Sequence, residues 1–139
     1  MSIPQLSIPL LTMPHWTIFF AGLCGLLQCA LAAFVIVRRA QTKVDLLDGG
    51  DYALLRRIRA HGNFSETAPL ALLLLLLLEL SAWSSAWIIT FGSLLVVGRC
   101  LHAYSLLTNN ASWSRRGGMA MTLFVTSVAA AMCLWTFFK

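Results

Sequence analysis

Charge is scarce in this sequence, and acid is scarcest: five of 139 residues are Asp or Glu, ten are Lys or Arg, and 59% are hydrophobic. A soluble domain would carry roughly 25% charged residues, whereas this chain carries 11%. A water-soluble fold is therefore excluded, and the net charge of +5 is better read as membrane topology than as nucleic-acid binding. The opening stretch MSIPQLSIPLL holds no Lys or Arg, so it lacks the positive region of a secretory signal. Pro4, Pro9 and Pro14 instead predict a short extended tail ending where a helix can begin. Cys24, Cys29, Cys100 and Cys133 all fall inside apolar stretches without paired spacing. That argues against a disulfide framework or a metal set and predicts small buried residues. No zinc, heme or nucleotide motif is present.

What the chain does have is long apolar runs. Leu72 to Leu78 is unbroken leucine, which an aqueous core helix would not need and a helix solvated by lipid tolerates on every side. Four spans are predicted, at about 15–37, 52–80, 87–107 and 117–138, giving an all-α, four-helix membrane protein. At 1.5 Å per residue the first would cover roughly 34 Å, enough to cross hydrocarbon. The second would reach roughly 43 Å, so its first turns must project beyond the bilayer. Pro14 suits a first helical turn and Trp16 an interfacial anchor. Asp48 or Asp51 can cap the second helix, and Pro69 should bend it just past Glu66. Glu79, at the far end of the leucine run, is expected to snorkel toward the interface.

Basic residues set the orientation. Arg38, Arg39, Lys43, Arg56, Arg57 and Arg59 flank the first loop, and Arg115 and Arg116 close the third. The second loop and the N-terminal tail have none, and the C-terminus has only Lys139. The positive-inside rule then places both termini away from the cytoplasm.

A polar constellation remains inside the apolar frame. On a helix, Arg59, Asn63 and Glu66 fall within about 60° of one another, and Arg99, His102 and Leu106 share a face of the third span. Arg99 lies too deep for a loop charge and needs an anionic partner or a polar cavity; Glu66 is the nearest carboxylate in depth. Arg38 and Arg115 end neighbouring spans at a similar level. The set suits a small zwitterion with several carboxylates, because arginine forks grip carboxylates, a glutamate accepts from an ammonium, and an asparagine fixes amides. A ligand thiol beside one of these arginines would ionise more readily than at its free pKa of about 8.5.

The run Arg59-Ala60-His61-Gly62-Asn63-Phe64-Ser65-Glu66 followed by Pro69 resembles the signature of the MAPEG family, membrane-associated proteins of eicosanoid and glutathione metabolism. Gly98-Arg99-Cys100-Leu101-His102-Ala103 and Arg115-Arg116-Gly117-Gly118-Met119 match in order and spacing. The resemblance implies a four-helix protomer in a homotrimer, with glutathione between adjacent protomers near the cytoplasmic face. By position, Arg38, Arg59, Asn63, Glu66, Arg99 and His102 would bind it. Arg115 stands where the family places the arginine credited with stabilising the thiolate, and Arg116 is adjacent, so either could hold that role. Gly62 stands where the prostaglandin E synthase branch has arginine, and Thr67 where the leukotriene synthase branch often has tyrosine. The likeness is therefore to bacterial members of the inner membrane, with no implied eicosanoid substrate.

The expected activity is a glutathione-dependent transferase or peroxidase acting on small lipophilic electrophiles or hydroperoxides dissolved in membrane lipid. A non-catalytic lipid-binding or scaffold role is the alternative. A four-span transporter with Glu66 as its ion site is weaker, because the surrounding cations would repel protons and cationic drugs.

Overall fold

A computed structural model describes residues 13–108 and 112–139; the expected extended tail at Pro4 and Pro9 and part of the third loop lie outside them. Four helices follow in order: α1 His15–Thr42, α2 Tyr52–Leu80, α3 Ser85–Thr108 and α4 Ser112–Phe138. All four are long and apolar enough to cross a membrane. Short connections between helices of this length force neighbours to run antiparallel. α2 and α3 form the centre, with α1 packed on both from one side and α4 on both from the other. The protein is an integral, multi-pass membrane protein.

Lipid acts as the outer solvent throughout. Along the leucine run Ala71, Leu75 and Leu78 are buried while Leu73 and Leu77 face outward. Phe19, Leu26, Phe34, Ile36, Phe124 and Leu134 are likewise exposed. An apolar belt of this extent is stable only against hydrocarbon. Inside, Cys24 and Leu31 of α1 meet Ala60, Phe64, Ala68 and Ala71 of α2 and Leu95 and Ala103 of α3. Leu75, Phe91 and Val125 join α2, α3 and α4 further along. Between α1 and α3 the Phe20 ring lies against Gly92, leaving no room for a Cβ there.

Helix ends differ from expectation in two places. α1 runs on past Val37 through Arg38 and Arg39 to Thr42, then stops at Lys43, whose backbone is left-handed with φ 54°. α4 begins at Ser112, so Arg115 and Arg116 lie within its first turns and not in the loop. Hydropathy marks where a chain meets hydrocarbon, whereas a helix continues into water until a cap or a breaker ends it.

Asp51 caps α2, accepting from the Leu54 N–H at 2.6 Å, and its second oxygen takes a 2.7 Å bond from Arg38 Nη2. These bonds, the arginine's first, hold the Asp51 carboxyl below the usual carboxylate range. Because the folded-state value is depressed, the stabilisation is present above the unfolded value of about 3.9 and is lost as pH falls through the lower folded value. The thermal midpoint in detergent should therefore drop on acidification below about pH 4. In Asp51→Asn the drop should be smaller, and equal drops in the two proteins would refute the assignment.

Glu79 does not snorkel. Its carboxylate accepts from the Trp16 and Thr17 N–H groups at 3.0 and 2.7 Å and from the Thr17 hydroxyl at 2.6 Å. It thus caps α1 across the bundle, because Pro14 at the N-cap position offers no side-chain acceptor of its own. At the same end the Trp83 indole donates to Thr136 Oγ1, tying the α2–α3 turn to α4. The cysteines correct a second expectation: all are free, but only Cys24 is buried, while Cys29 and Cys100 face outward. In a bilayer an outward thiol costs little, so apolar surroundings in sequence do not imply burial.

Candidate functional site

The α3–α4 seam sets the geometry. A Cβ on Gly118 would strike the Gly98 carbonyl oxygen and lie 2.9 Å from the His102 nitrogen. The two backbones can approach only because both positions are glycine. This close crossing brings the start of α4, with its arginines, alongside His102 and Arg99.

Arg99 is 1% exposed and meets no carboxylate among the described residues. Its Nη1 donates to Thr67 Oγ1 at 2.8 Å and to the Asn63 carbonyl at 3.3 Å. Its Nη2 reaches the Gly118 carbonyl at 3.4 Å and the Met119 sulfur at 3.8 Å. The expected Glu66 partner is thus replaced by neutral oxygens. One residue along a helix turns the side chain by 100°, so Thr67 faces α3 while Glu66 faces outward. The Glu66 carboxylate lies back over Gly62, 3.9 Å from where a Cβ there would sit. Thr67 in turn donates to the Asn63 carbonyl at 2.7 Å. Arg99 therefore fixes the backbone that presents Asn63 and the backbone that presents Met119.

His102 performs the matching task one turn on. Its Nδ1 lies 3.1 Å from the Arg115 carbonyl. A carbonyl only accepts, so that nitrogen carries the proton. Its Nε2 is buried and has no partner among the described residues.

In front of these supports lies an open cleft of about 410 Å³, lined by Arg59, Asn63, His102, Leu106, Arg115, Arg116 and Met119. Five of the eight residues singled out from sequence (Arg59, Asn63, His102, Arg115 and Arg116) line it. Arg99 lies behind it as a support. Arg38 is instead paired with Asp51, and Glu66 is exposed without lining this cleft. Arg116 sits 5.6 Å from the centroid of the Trp113 ring, which holds its guanidinium by a cation–π contact.

Three guanidinium groups reach the cleft, and none has an ion-pair partner among the described residues. Two of them stand in the first turns of a helix, where the backbone dipole already favours anions over cations. An anion from outside the protomer would therefore be attracted to that arrangement. The volume lies within the roughly 300–1,000 Å³ range of small-molecule sites, and Leu106 and Met119 give the cationic mouth an apolar wall. The residue set offers forks for carboxylates, a side-chain amide and a bare imidazole nitrogen.

Thr67 and Met119 were not expected as part of this assembly. Thr67 had a signal in its position one turn beyond Asn63 on the same stripe; Met119 closed the run from Arg115, with no contact to Arg99 expected of it. Gln28 was also missed: its amide nitrogen lies 2.7 Å from Ser65 Oγ and 3.0 Å from His61 Nε2. That polar knot joins α1 to α2 on the side away from Arg59.

The model of the MAPEG family matches residues 17–135. The chain belongs to the MAPEG family. Two curated relatives, both called Inner membrane protein YecN, come from Escherichia coli strain K12 and from E. coli O6:H1 strain CFT073. Each is 32% identical over 116 residues, covering 84% of this chain and 88% of the relative. No solved structure matches the chain significantly. The matched region of this MAPEG protein runs from the Glu79-capped start of α1 almost to the end of α4, and so contains the whole cleft and its supports.

Proposed function

We propose that this MAPEG protein is a glutathione-dependent transferase or peroxidase of the bacterial inner membrane, acting as a homotrimer on lipophilic electrophiles or hydroperoxides. The single observation that carries the reading is the convergence of Arg59, Arg115 and Arg116, without carboxylate partners, on one cleft with an apolar wall. Family membership adds support, since MAPEG proteins generally use glutathione, and the relatives' name supports the membrane assigned.

Bound glutathione supplies a thiolate nucleophile. Arg59 and whichever of Arg115 and Arg116 faces away from the thiol take the ligand's carboxylates, and Asn63 orients its amides. The remaining arginine holds negative charge on sulfur, each unit of pKa lowering being about 1.4 kcal/mol of preference for the thiolate. Glu66, for the ammonium, and Arg38, for a ligand carboxylate once it exchanges its partner Asp51, do not line this protomer's cleft and would act from an adjacent protomer of the trimer. Leu106 and Met119 exclude water from the side where an apolar substrate enters from lipid. With both termini away from the cytoplasm, the cleft opens on the cytoplasmic side, where the tripeptide is in water.

Purified protein in detergent should develop ultraviolet thiolate absorbance on adding glutathione at neutral pH, and should turn over chlorodinitrobenzene or a lipid hydroperoxide. Binding with no thiolate signal and no turnover would favour a non-catalytic member and defeat the enzymatic reading.

A further inference from the structure

We infer that His102 is a catalytic residue whose Nε2 takes the thiol proton of the ligand held in the arginine cleft. The inference rests on the glutathione reading and deepens it by naming the proton's destination.

The argument is one of unpaired valence. His102 is 6% exposed and lines the cleft. Its Nδ1–H is committed to the Arg115 carbonyl, which fixes the neutral tautomer with a lone pair on Nε2. That lone pair has no donor among the described residues. A buried acceptor without a donor is destabilising, a penalty that an incoming donor removes. A packing histidine would have both nitrogens satisfied; here the satisfied one tethers α4, while the bare one is buried on a residue that lines the cleft.

The charges around it determine what it can do. From α2 the cleft lining brings Arg59 and the neutral Asn63; from α4 it brings Arg115, Arg116 and the apolar Met119. Arg99 lies three residues earlier on α3 itself, and α1 contributes nothing to the lining. Among the described residues no carboxylate lines the cleft with the ring, so no neighbouring negative charge there favours a proton on Nε2 before a ligand arrives. A thiol changes that balance. The S–H bond breaks heterolytically, the proton forms an N–H bond at Nε2, and the electron pair stays on sulfur facing an arginine. The added positive charge on the ring is then adjacent to the new negative charge, and the net charge of the cleft is unchanged by the transfer. After the thiolate has reacted, release of the proton to water returns His102 to its starting tautomer. Arginine alone stabilises a thiolate but is no proton acceptor, so His102 supplies the missing half of the reaction.

Nitrogen-15 NMR of histidine-labelled wild-type protein in detergent tests this without turnover, with His15→Gln and His61→Gln used to assign the other two rings. Saturating glutathione should convert His102 Nε2 from an unprotonated to a protonated signal, and S-methylglutathione, which has no thiol proton, should bind without doing so. Nε2 remaining unprotonated with glutathione, or protonating equally with both ligands, overturns the inference. His102→Asn provides a second readout, since its amide can still donate to the Arg115 carbonyl but leaves nothing at the Nε2 position. Glutathione binding by equilibrium dialysis should persist, while thiolate absorbance per bound ligand at neutral pH falls about tenfold and its pH midpoint rises by about one unit. Bound ligand with an unaltered thiolate profile in that variant also overturns it. Wild-type protein that binds no glutathione by dialysis would remove the functional reading itself, and this proposal with it.

Discussion

Replacing Arg115 and Arg116 together with alanine should lower glutathione-dependent turnover by about 100-fold or more while leaving the bundle folded. Two unit charges about 4 Å apart interact by about 1 kcal/mol in water and about 4 kcal/mol at the effective dielectric of a protein surface. Both arginines are exposed, so each lies between these limits. Their combined loss is then near 3 kcal/mol, which corresponds to about two units in thiol pKa. Exposed side chains without ion-pair partners contribute within about 0.5 kcal/mol to stability, so the melting temperature should hardly move. The single variants should divide unequally. Arg116 is held over the Trp113 ring, whereas the Arg115 guanidinium meets no carboxylate and its backbone is anchored by His102. Arg115→Ala should therefore cost more than Arg116→Ala. Steady-state kinetics in detergent, read with thiolate absorbance, measure both effects, and a double variant with unimpaired turnover rules out arginine stabilisation of the thiolate.

The second large effect is structural. Gly118→Ala should destabilise the protein by about 2 kcal/mol and abolish activity, although alanine is the better helix former by about 1 kcal/mol. The sign follows from what the new methyl meets. It would collide with the Gly98 carbonyl and crowd the His102 backbone nitrogen, and neither is the end of a flexible side chain. Overpacking costs about 1–3 kcal/mol and more where backbone must shift, so the clash exceeds the propensity gain. Moving α4 outward also stretches the Arg99 bond to the Gly118 carbonyl and the His102 bond to the Arg115 carbonyl, the two hooks that aim the arginines. Gly117→Ala is the internal control. Nothing lies within 4 Å of a Cβ there, so it should be neutral or stabilising by up to about 1 kcal/mol. Thermal unfolding followed by circular dichroism compares the two; equal melting temperatures would show that the seam tolerates a methyl group.

Arg99 illustrates how far sequence reasoning reaches. Its depth in an apolar span marks it as unusual, and the shared helical stripe of Arg59 and Asn63 points to the right neighbourhood. The partner was mistaken because a search for opposite charge selects Glu66, while backbone rotation selects Thr67. Three neutral oxygens from other helices take hydrogens from its Nη1 and Nη2 without a counter-ion, while its buried Nε has no partner among the described residues. No one-dimensional pattern announces such a cradle. His102 is a similar case: its spacing from Arg99 places it on the right face, yet only the Arg115 carbonyl decides which nitrogen is free.

By itself the sequence determined the solvent, the number of spans and the extent of α2, because each depends on composition or on periodicity along a single helix, and its motifs carried the resemblance to the family. Tertiary structure alone decided that α4 starts early enough to carry Arg115 and Arg116 in its first turns, that Glu79 caps a helix other than its own, and that Arg38 pairs with Asp51. It also separated the site into residues that line the cleft and residues that hold the lining in place. Apart from the start of α4, which lies beyond the hydropathy boundary because a helix runs on into water, these share one physical reason. Each depends on the distance between two backbones, which the Gly98–Gly118 crossing and its counterparts set in three dimensions, and hydropathy along one chain carries no record of that distance.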